Sequence, residues 1–415
     1  MNGADGARAA VIGRAVKSRR LRQGMSLRAL ADLSGLSTGY LSMVENGQRL
    51  LDRTSHITAV ADALRVTPSE LLTWSLPVSV RAGAAHEAVP ALRLLLMGLP
   101  LDPSGGDRPA DPVPVDVLAR RVREANRRYH AAAYDALAVS LPVLLDDLQQ
   151  AAVSAAGPAR EQLLRLLADA YHPACALLLK ALGYVDLAWM AVTRAAEVTA
   201  ELDDPVRTAS SGFFHAHILL AAGSPGQALA RARSAADQLQ PRLGRGPAAE
   251  ALLGELHLIS ASALTQLGRG TGQEGDDVRG HLAEAERLAA RTGEVTAWHL
   301  NFGPANVGVH HVSLNAALGL HPEAAEAGER VHPGQVATAG RRAVLHADLA
   351  RAYAHLPSHH EQAVRHLLDA EAAAPQRIHA DPVARDTAAH LITRSRTTAD
   401  RRALSGLARR MNLPS

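Results

Sequence analysis

The sequence predicts an all-α protein: a small basic helical domain at the N-terminus, followed by a long body of helical hairpins. Three observations carry this. Aromatic residues are only 3% of the 415, while 47% are hydrophobic, so Ala, Leu and Val must build the core, and a large sandwich or barrel is disfavoured. Ala, Leu, Arg and Glu, all good helix formers, are abundant. Apolar residues recur at helical spacing in segment after segment, separated by short Gly/Pro breaks, with no convincing strand.

Charge divides the chain in the same place. Residues 1–80 hold ten Lys/Arg against six Asp/Glu, whereas the remainder holds 34 against 35. A basic N-terminal part on a near-neutral body points to a polyanionic partner for that part alone. The single cysteine, Cys175, excludes an intramolecular disulfide and any Cys-based metal cluster. Met1–Arg20 has no apolar h-region, and the apolar stretch Ala91–Leu101 contains Arg93 and is too short to span a bilayer. The expectation is a cytoplasmic protein with no membrane partner.

Five short helices are expected between residues 8 and 72. Ala9–Arg22 carries an apolar stripe of Val11, Ala15 and Val16 beside a basic face. Ser26 is placed to N-cap Leu27–Ser34, and Gly35 makes a turn. Ser37 N-caps Thr38–Glu45, whose Leu41 and Val44 are apolar at i, i+3, and Asn46-Gly47 ends it. Thr54 or Ser55 opens a fourth helix through Leu64, and Thr67-Pro68-Ser69-Glu70 caps a fifth.

Gly24-Met25-Ser26-Leu27-Arg28-Ala29-Leu30-Ala31, followed by Gly35 through Gly47, resembles the helix-turn-helix of the Cro/lambda-repressor-like (XRE) family over about residues 11–72. The resemblance implies a five-helix lambda-repressor-like DNA-binding domain, residues 1–75, with the N-terminal half of Thr38–Glu45 in the major groove of a double-stranded operator. Carried over residue by residue, Thr38, Gly39, Tyr40, Ser42 and Met43 face the bases. Ser37 and Asn46 contact phosphate, with Arg28 and Arg49 nearby. Two departures stand out: Leu27 occupies a position where the family often has Gln, and Gly39 and Met43 replace polar residues. Few side chains remain to hydrogen-bond base edges, so specificity is expected from Thr38, Ser42, thymine-methyl contact by Met43, and DNA shape.

Residues 76–114 read as a connector, with one helix from Glu87 to Met97 and then a stretch from Pro100 to Pro114 holding five prolines. Residues 115–415 contain a drifting repeat. Gly183, Ala188 and Ala195 share their spacing with Gly223, Ala228 and Ala235; Gly319 and Ala324 repeat its first half, and Ala363, Ala370 and Pro375 close it. Gly268–Gly275 reads as a loop insertion. Small residues at this spacing with a closing Pro resemble tetratricopeptide repeats, over roughly residues 160–375. A helix-turn-helix followed by such repeats is similar to the RRNPP group of peptide-pheromone receptors and to actinobacterial regulators of this architecture. That resemblance implies a homodimeric, quorum-sensing type of transcription regulator, whose α-superhelix binds a peptide or small-molecule effector. A protein-interaction adaptor, whose DNA head only localises it, stays open as the alternative.

One stretch, Trp298 through His311, is distinctive. Pro304 suits the first turn of a helix, which would place Asn306, His310 and Ser313 on one face and Val309, Val312 and Ala316 on another. Trp298, Asn301, Phe302, Asn306, His310 and Ser313 are the expected effector-binding set, offering amide hydrogen bonds beside aromatic surface. Twenty histidines raise the question of a metal. His310-His311 and the group His355, His359, His360 have no accompanying carboxylate at ligand spacing, so no metal or other cofactor is expected. No nucleophile elbow, paired acids or phosphate loop emerges, and no enzymatic activity is expected.

Overall fold

The computed structural model describes residues 9, 12–13, 16–17, 20–21, 24–49, 51, 54–64, 66, 83–101, 113–244, 246–268, 273–297, 299–395, 398–411 and 413, the side chains of 54, 55, 273–275, 398 and 399 excepted. The chain forms two compact units, Met1–Arg81 with Arg402–Ser415, and Ala82–Arg401.

In the first unit, α1 (Leu27–Ser34), α2 (Thr38–Glu45) and α3 (Thr54–Ala63) pack around Leu30, Leu41, Val44, Leu51, Val60 and Leu64. Their ends follow from local chemistry. Ser26 Oγ accepts from the Ala29 N–H (3.1 Å), and Ser37 Oγ accepts from the Tyr40 N–H (3.2 Å). Gly35 ends α1 in the left-handed region at φ 68°, which costs a glycine little. Ahead of α1, the helical residues Ala9, Ile12, Val16 and Arg20 are buried at i, i+3, i+7, i+11. The buried stripe thus runs through Ile12 and Val16; Val11 and Ala15, expected on it, lie outside the described residues, as does the expected fifth helix. Gly13 shares that helical face, where a Cβ would overlap the Val44 carbonyl oxygen; the two helices touch backbone to backbone. Leu404, Leu407 and Met411, near the end of the chain, are also buried.

Among its described residues, the second unit is made of helical hairpins and one small sheet. It runs α4 (Ala84–Glu87), α5 (Val89–Leu96), α6 (Val115–His130), α7 (Tyr134–Ser154), α8 (Gly157–Asp169), a π-helical turn Ala170–Leu177, α9 (Leu178–Ala181), α10 (Val185–Ala200), α11 (Pro205–Ala221), α12 (Pro225–Leu239), α13 (Pro247–Gln266) and α14 (Gln273–Thr292). After β1 (Val295–Ala297) and β2 (Leu300–Phe302) come α15 (Pro304–Leu318), α16 (His321–Glu329), α17 (Ala339–Ala354), α18 (His360–Ala373), α19 (Pro375–Ala380), α20 (Pro382–Arg394) and α21 (Thr398–Arg410), whose last turns join the first unit. The expected Glu87–Met97 helix is α5, shorter at both ends, with Glu87 closing the separate α4. The expected Gly268–Gly275 loop is also shorter than it read, because α14 already begins at Gln273.

The repeat spacing has a steric basis. Gly183, Gly223 and Gly319 make left-handed turns at φ 88°, 75° and 77°. Ala188, Ala195, Ala228, Ala235, Ala324, Ala363 and Ala370 are buried at the helix contacts. A Cβ on Gly212 would come within 2.8 Å of the Ala235 Cβ, so α11 and α12 approach as closely as two small residues allow. The π-helical turn coincides with Pro173; proline removes an N–H and crowds the preceding turn, which widens there. Helix α7 is long and apolar enough, by length and composition, to cross a membrane, but half of its most apolar stretch is buried within this unit, including Leu137, Leu141, Leu144 and Leu148.

The sequence showed no strand, yet β1 and β2 pair antiparallel in the register Val295↔Phe302, Thr296↔Asn301, Ala297↔Leu300. Three residues per strand leave too little alternation to be legible, and the turn residue His299 sits at φ 61° without being glycine. The unit also closes on itself: α9 packs against α19, and Gln376 Nε2 donates to Asp135 Oδ2 of α7 (2.9 Å).

Candidate nucleic-acid interface and the polar cluster of the body

Helix α2 is held from behind by an ion pair. Arg20 Nε donates to Glu45 Oε1 (2.6 Å) and Nη2 to Oε2 (2.8 Å), while Nη1 donates to the Met25 carbonyl (2.8 Å). Both side chains are buried, and the hydrogen bonds to Glu45 raise the Arg20 pKa. This bidentate clamp ties the end of α2 to the chain before α1. In the sequence Glu45 is legible only as part of the motif, because its partner lies 25 residues away. An acid followed by Asn-Gly at the end of an apolar-backed helix was the available signal.

The front of α2 is open. Ser37, Thr38, Gly39, Met43, Asn46, Arg28 and Arg49 are exposed, and Ser42 is partly so. Tyr40 is not free. Its ring lies under the Arg49 guanidinium (5.2 Å to the centroid), and its hydroxyl shares a hydrogen bond with His56 Nδ1 (3.2 Å). Tyr40 therefore orients Arg49 through a cation–π contact, a tie that sequence could not show.

In the second unit, the expected effector residues part company. Trp298 lies outside the described residues. Phe302 is fully buried against Gly254, where a Cβ would overlap its ring; it is a core residue, a correction to its expected place on a binding surface. Asn301 is half-buried on β2, its Oδ1 accepting from Thr296 Oγ1 (3.2 Å). Asn306 is only 8% exposed. Its Nδ2 donates to Glu255 Oε1 (2.8 Å), and its Oδ1 accepts from Arg341 Nε (2.8 Å). Both ends of the amide are taken, so Asn306 links α13, α15 and α17 rather than offering itself to a ligand. Ser313 Oγ donates to Asp348 Oδ2 (2.5 Å). His310 is half-buried, and burial, then Arg341 and His311, hold its pKa well below the usual range. The Phe302-Gly303-Pro304 run is itself structural: the Glu294 carboxylate accepts from the Ala305 N–H (2.9 Å), capping α15.

These side chains belong to a larger polar cluster. Lys180 Nζ lies 2.7 Å from His217 Nε2. Burial, then the neighbouring Arg377 and Arg341, pull the Lys180 pKa down to about 7. His217 falls well below its usual range through burial, Lys180 and the same arginines. Burial pushes Glu255 up to about 7 and Asp348 up to about 6. Arg341 Nη2 has no hydrogen-bond partner among the described residues. Lys180, Arg341 and Arg377 thus bring three basic side chains from α9, α17 and α19 close enough to act on one another, with Glu255 and Asp348 as counter-charges to Arg341 and Asp381 to Arg377. No local motif marks Arg341 or Arg377 in the sequence. Lys180 carried a signal, being one of two lysines and set in an otherwise apolar run.

A family model described as a helix-turn-helix domain matches residues 11–74. No curated protein matches the sequence. Three solved structures resemble the fold weakly. That of Bacillus thuringiensis PlcR in complex with the peptide PapR7 and DNA is 13% identical, covering 68% of this chain and 95% of that one, with a TM-score of 0.31. That of a Rap protein complexed with competence and sporulation factor is 15% identical, covering 72% and 93%, at 0.38. The apo form of the competence regulator ComR from Streptococcus vestibularis is 13% identical, covering 68% and 92%, at 0.21. With the two capped helices, the Gly35 turn and the family match in hand, the N-terminal unit is an XRE-like helix-turn-helix domain, carried on a body of helical hairpins.

Proposed function

We propose that the chain is a cytoplasmic, non-enzymatic transcription regulator. Its N-terminal unit binds operator DNA through α2, and its body binds an effector at the polar cluster and so modulates that binding. The observation that carries the first half is the matched helix-turn-helix whose α2 is clamped behind by Arg20–Glu45 and open in front from Thr38 to Met43. In support of the second half, the body gathers basic side chains from three elements (Lys180, Arg341 and Arg377), with Lys180 held down to about 7 by burial and by the two arginines. Buried charge without full pairing is costly and tends to mark function. A peptide or small molecule bearing a carboxylate would relieve it. We expect action as a homodimer, because one such head makes few base contacts and paired half-sites are the usual route to useful affinity.

The test is fluorescence anisotropy of the full chain on random and selected duplexes across a salt series. Arg28→Ala and Arg49→Ala should weaken binding to every sequence and reduce the salt slope by about one each. Thr38→Ala and Met43→Ala should instead change which sequences are selected. If residues 76–415 alone bind DNA as well as the full chain, the assignment fails.

A further inference from the structure

The hairpin of α17 and α18 juxtaposes three metal-ligating atoms that the sequence keeps apart. His346 Nδ1 of α17 lies 2.9 Å from His366 Nδ1 of α18. Asp369, one turn beyond His366, places Oδ2 4.0 Å from His346 Nδ1. Among the described residues, this is the one place where three ligand atoms from His, Cys, Asp or Glu lie within 4.8 Å of one another. His346 is half-buried, and the Asp369 side chain is 51% exposed, so an ion would have a route in. We propose that His346, His366 and Asp369 bind a divalent transition-metal ion, with zinc the best fit to two imidazoles and one carboxylate.

The geometry meets what such an ion needs. Zinc–nitrogen bonds of about 2.0–2.1 Å in a tetrahedron set neighbouring ligand atoms about 3.3 Å apart. The two imidazoles need to part by only a few tenths of an ångström, and the exposed carboxylate needs a side-chain rotation. Three protein ligands leave the fourth position to water. The parallel ring of Tyr353, 5.4 Å from His366 at 9° between planes, fixes the orientation of one ligand in advance.

The body supplies its own control. In the hairpin of α13 and α14, His257 Nδ1 and His281 Nδ1 are also in contact, at 2.8 Å, and Glu284 follows His281 by three residues, as Asp369 follows His366. There Arg287 donates to both Glu284 oxygens (2.8 and 2.5 Å). That carboxylate is engaged, and the pair stays a hydrogen-bonded pair. The two hairpins thus differ in the engagement of their carboxylate.

The experiment titrates zinc into chelator-stripped full-length protein against a chromophoric chelator, with cobalt absorption as the readout of ligand geometry. Wild-type protein should bind with micromolar or tighter affinity and give a cobalt spectrum of low coordination number. His366→Gln and Asp369→Asn should each weaken binding by at least about tenfold, and His281→Gln should leave it unchanged. The proposal is overturned if the wild type takes up no zinc at about 100 μM, if Asp369→Asn binds as tightly as wild type, or if His281→Gln abolishes binding. Circular dichroism checks each variant's fold; where His366→Gln does not fold, His346→Gln and the exposed Asp369→Asn carry the test.

Discussion

Glu45 and Asn306 show how much of this protein's polar chemistry serves its architecture. Glu45 neutralises Arg20 behind α2. Removing one partner of a buried pair leaves the other charge uncompensated. Glu45→Gln should therefore destabilise the N-terminal unit by about 3 kcal/mol, seen as loss of its helical circular dichroism at lower denaturant. DNA affinity should fall in proportion, although Glu45 faces away from the exposed front. Asn306 satisfies Glu255 and Arg341 together. Asn306→Ala should cost roughly 1–3 kcal/mol and lower the melting temperature. An unchanged melting temperature with a lost effector response would restore Asn306 to the role of ligand-binding residue that its sequence context suggested.

At the scale of elements, the β1–β2 hairpin is fixed by a close packing rather than by strand propensity. Phe302 fills the space that Gly254 leaves on α13, and Glu294 caps the next helix. Gly254→Ala should overpack this contact and cost about 1–3 kcal/mol, measured by denaturant unfolding. Adding Phe302→Leu should recover part of that loss, because the two changes share one volume and are not additive. Full additivity would mean that the glycine serves some other purpose. The expected Gly268–Gly275 loop and the Glu87–Met97 helix failed at their ends for a related reason: element boundaries are decided by caps and neighbours more than by composition.

At the scale of the whole body, the closure of α9 onto α19 gathers Lys180, Arg341 and Arg377. The folded Lys180 pKa of about 7 lies far below the roughly 10.4 of an unfolded lysine. Between those values the unfolded chain binds the extra proton. The Lys180 cost is therefore complete below pH 7 and fades as pH rises towards 10. Lys180→Met should raise the melting temperature most at neutral pH, with a gain that shrinks by pH 10. An effector carboxylate beside Lys180 would have the same sense, stabilising the body more at pH 7 than at pH 10. A pH-independent effect of Lys180→Met would mean that the lysine is neutral or paired throughout.

The helix-turn-helix was legible in the sequence because every signal it needs is local: Ser26 and Ser37 as caps, Gly35 in the turn, Leu41 and Val44 one turn apart, and an excess of arginine nearby. The hairpin repeat was legible for the same reason, since a turn glycine and small residues at fixed offsets act within some fifteen residues of one another. The polar chemistry of the body was not. Asn306 and Phe302 look effector-binding in the sequence because residue type and helical phase say which residues share a face, not what that face meets. Lys180 meets Arg377, Arg20 meets Glu45, and His346 meets His366 only once the chain has folded back on itself. Which polar residues bind one another and which are left for a ligand is a matter of long-range contact, and the tertiary structure alone decides it.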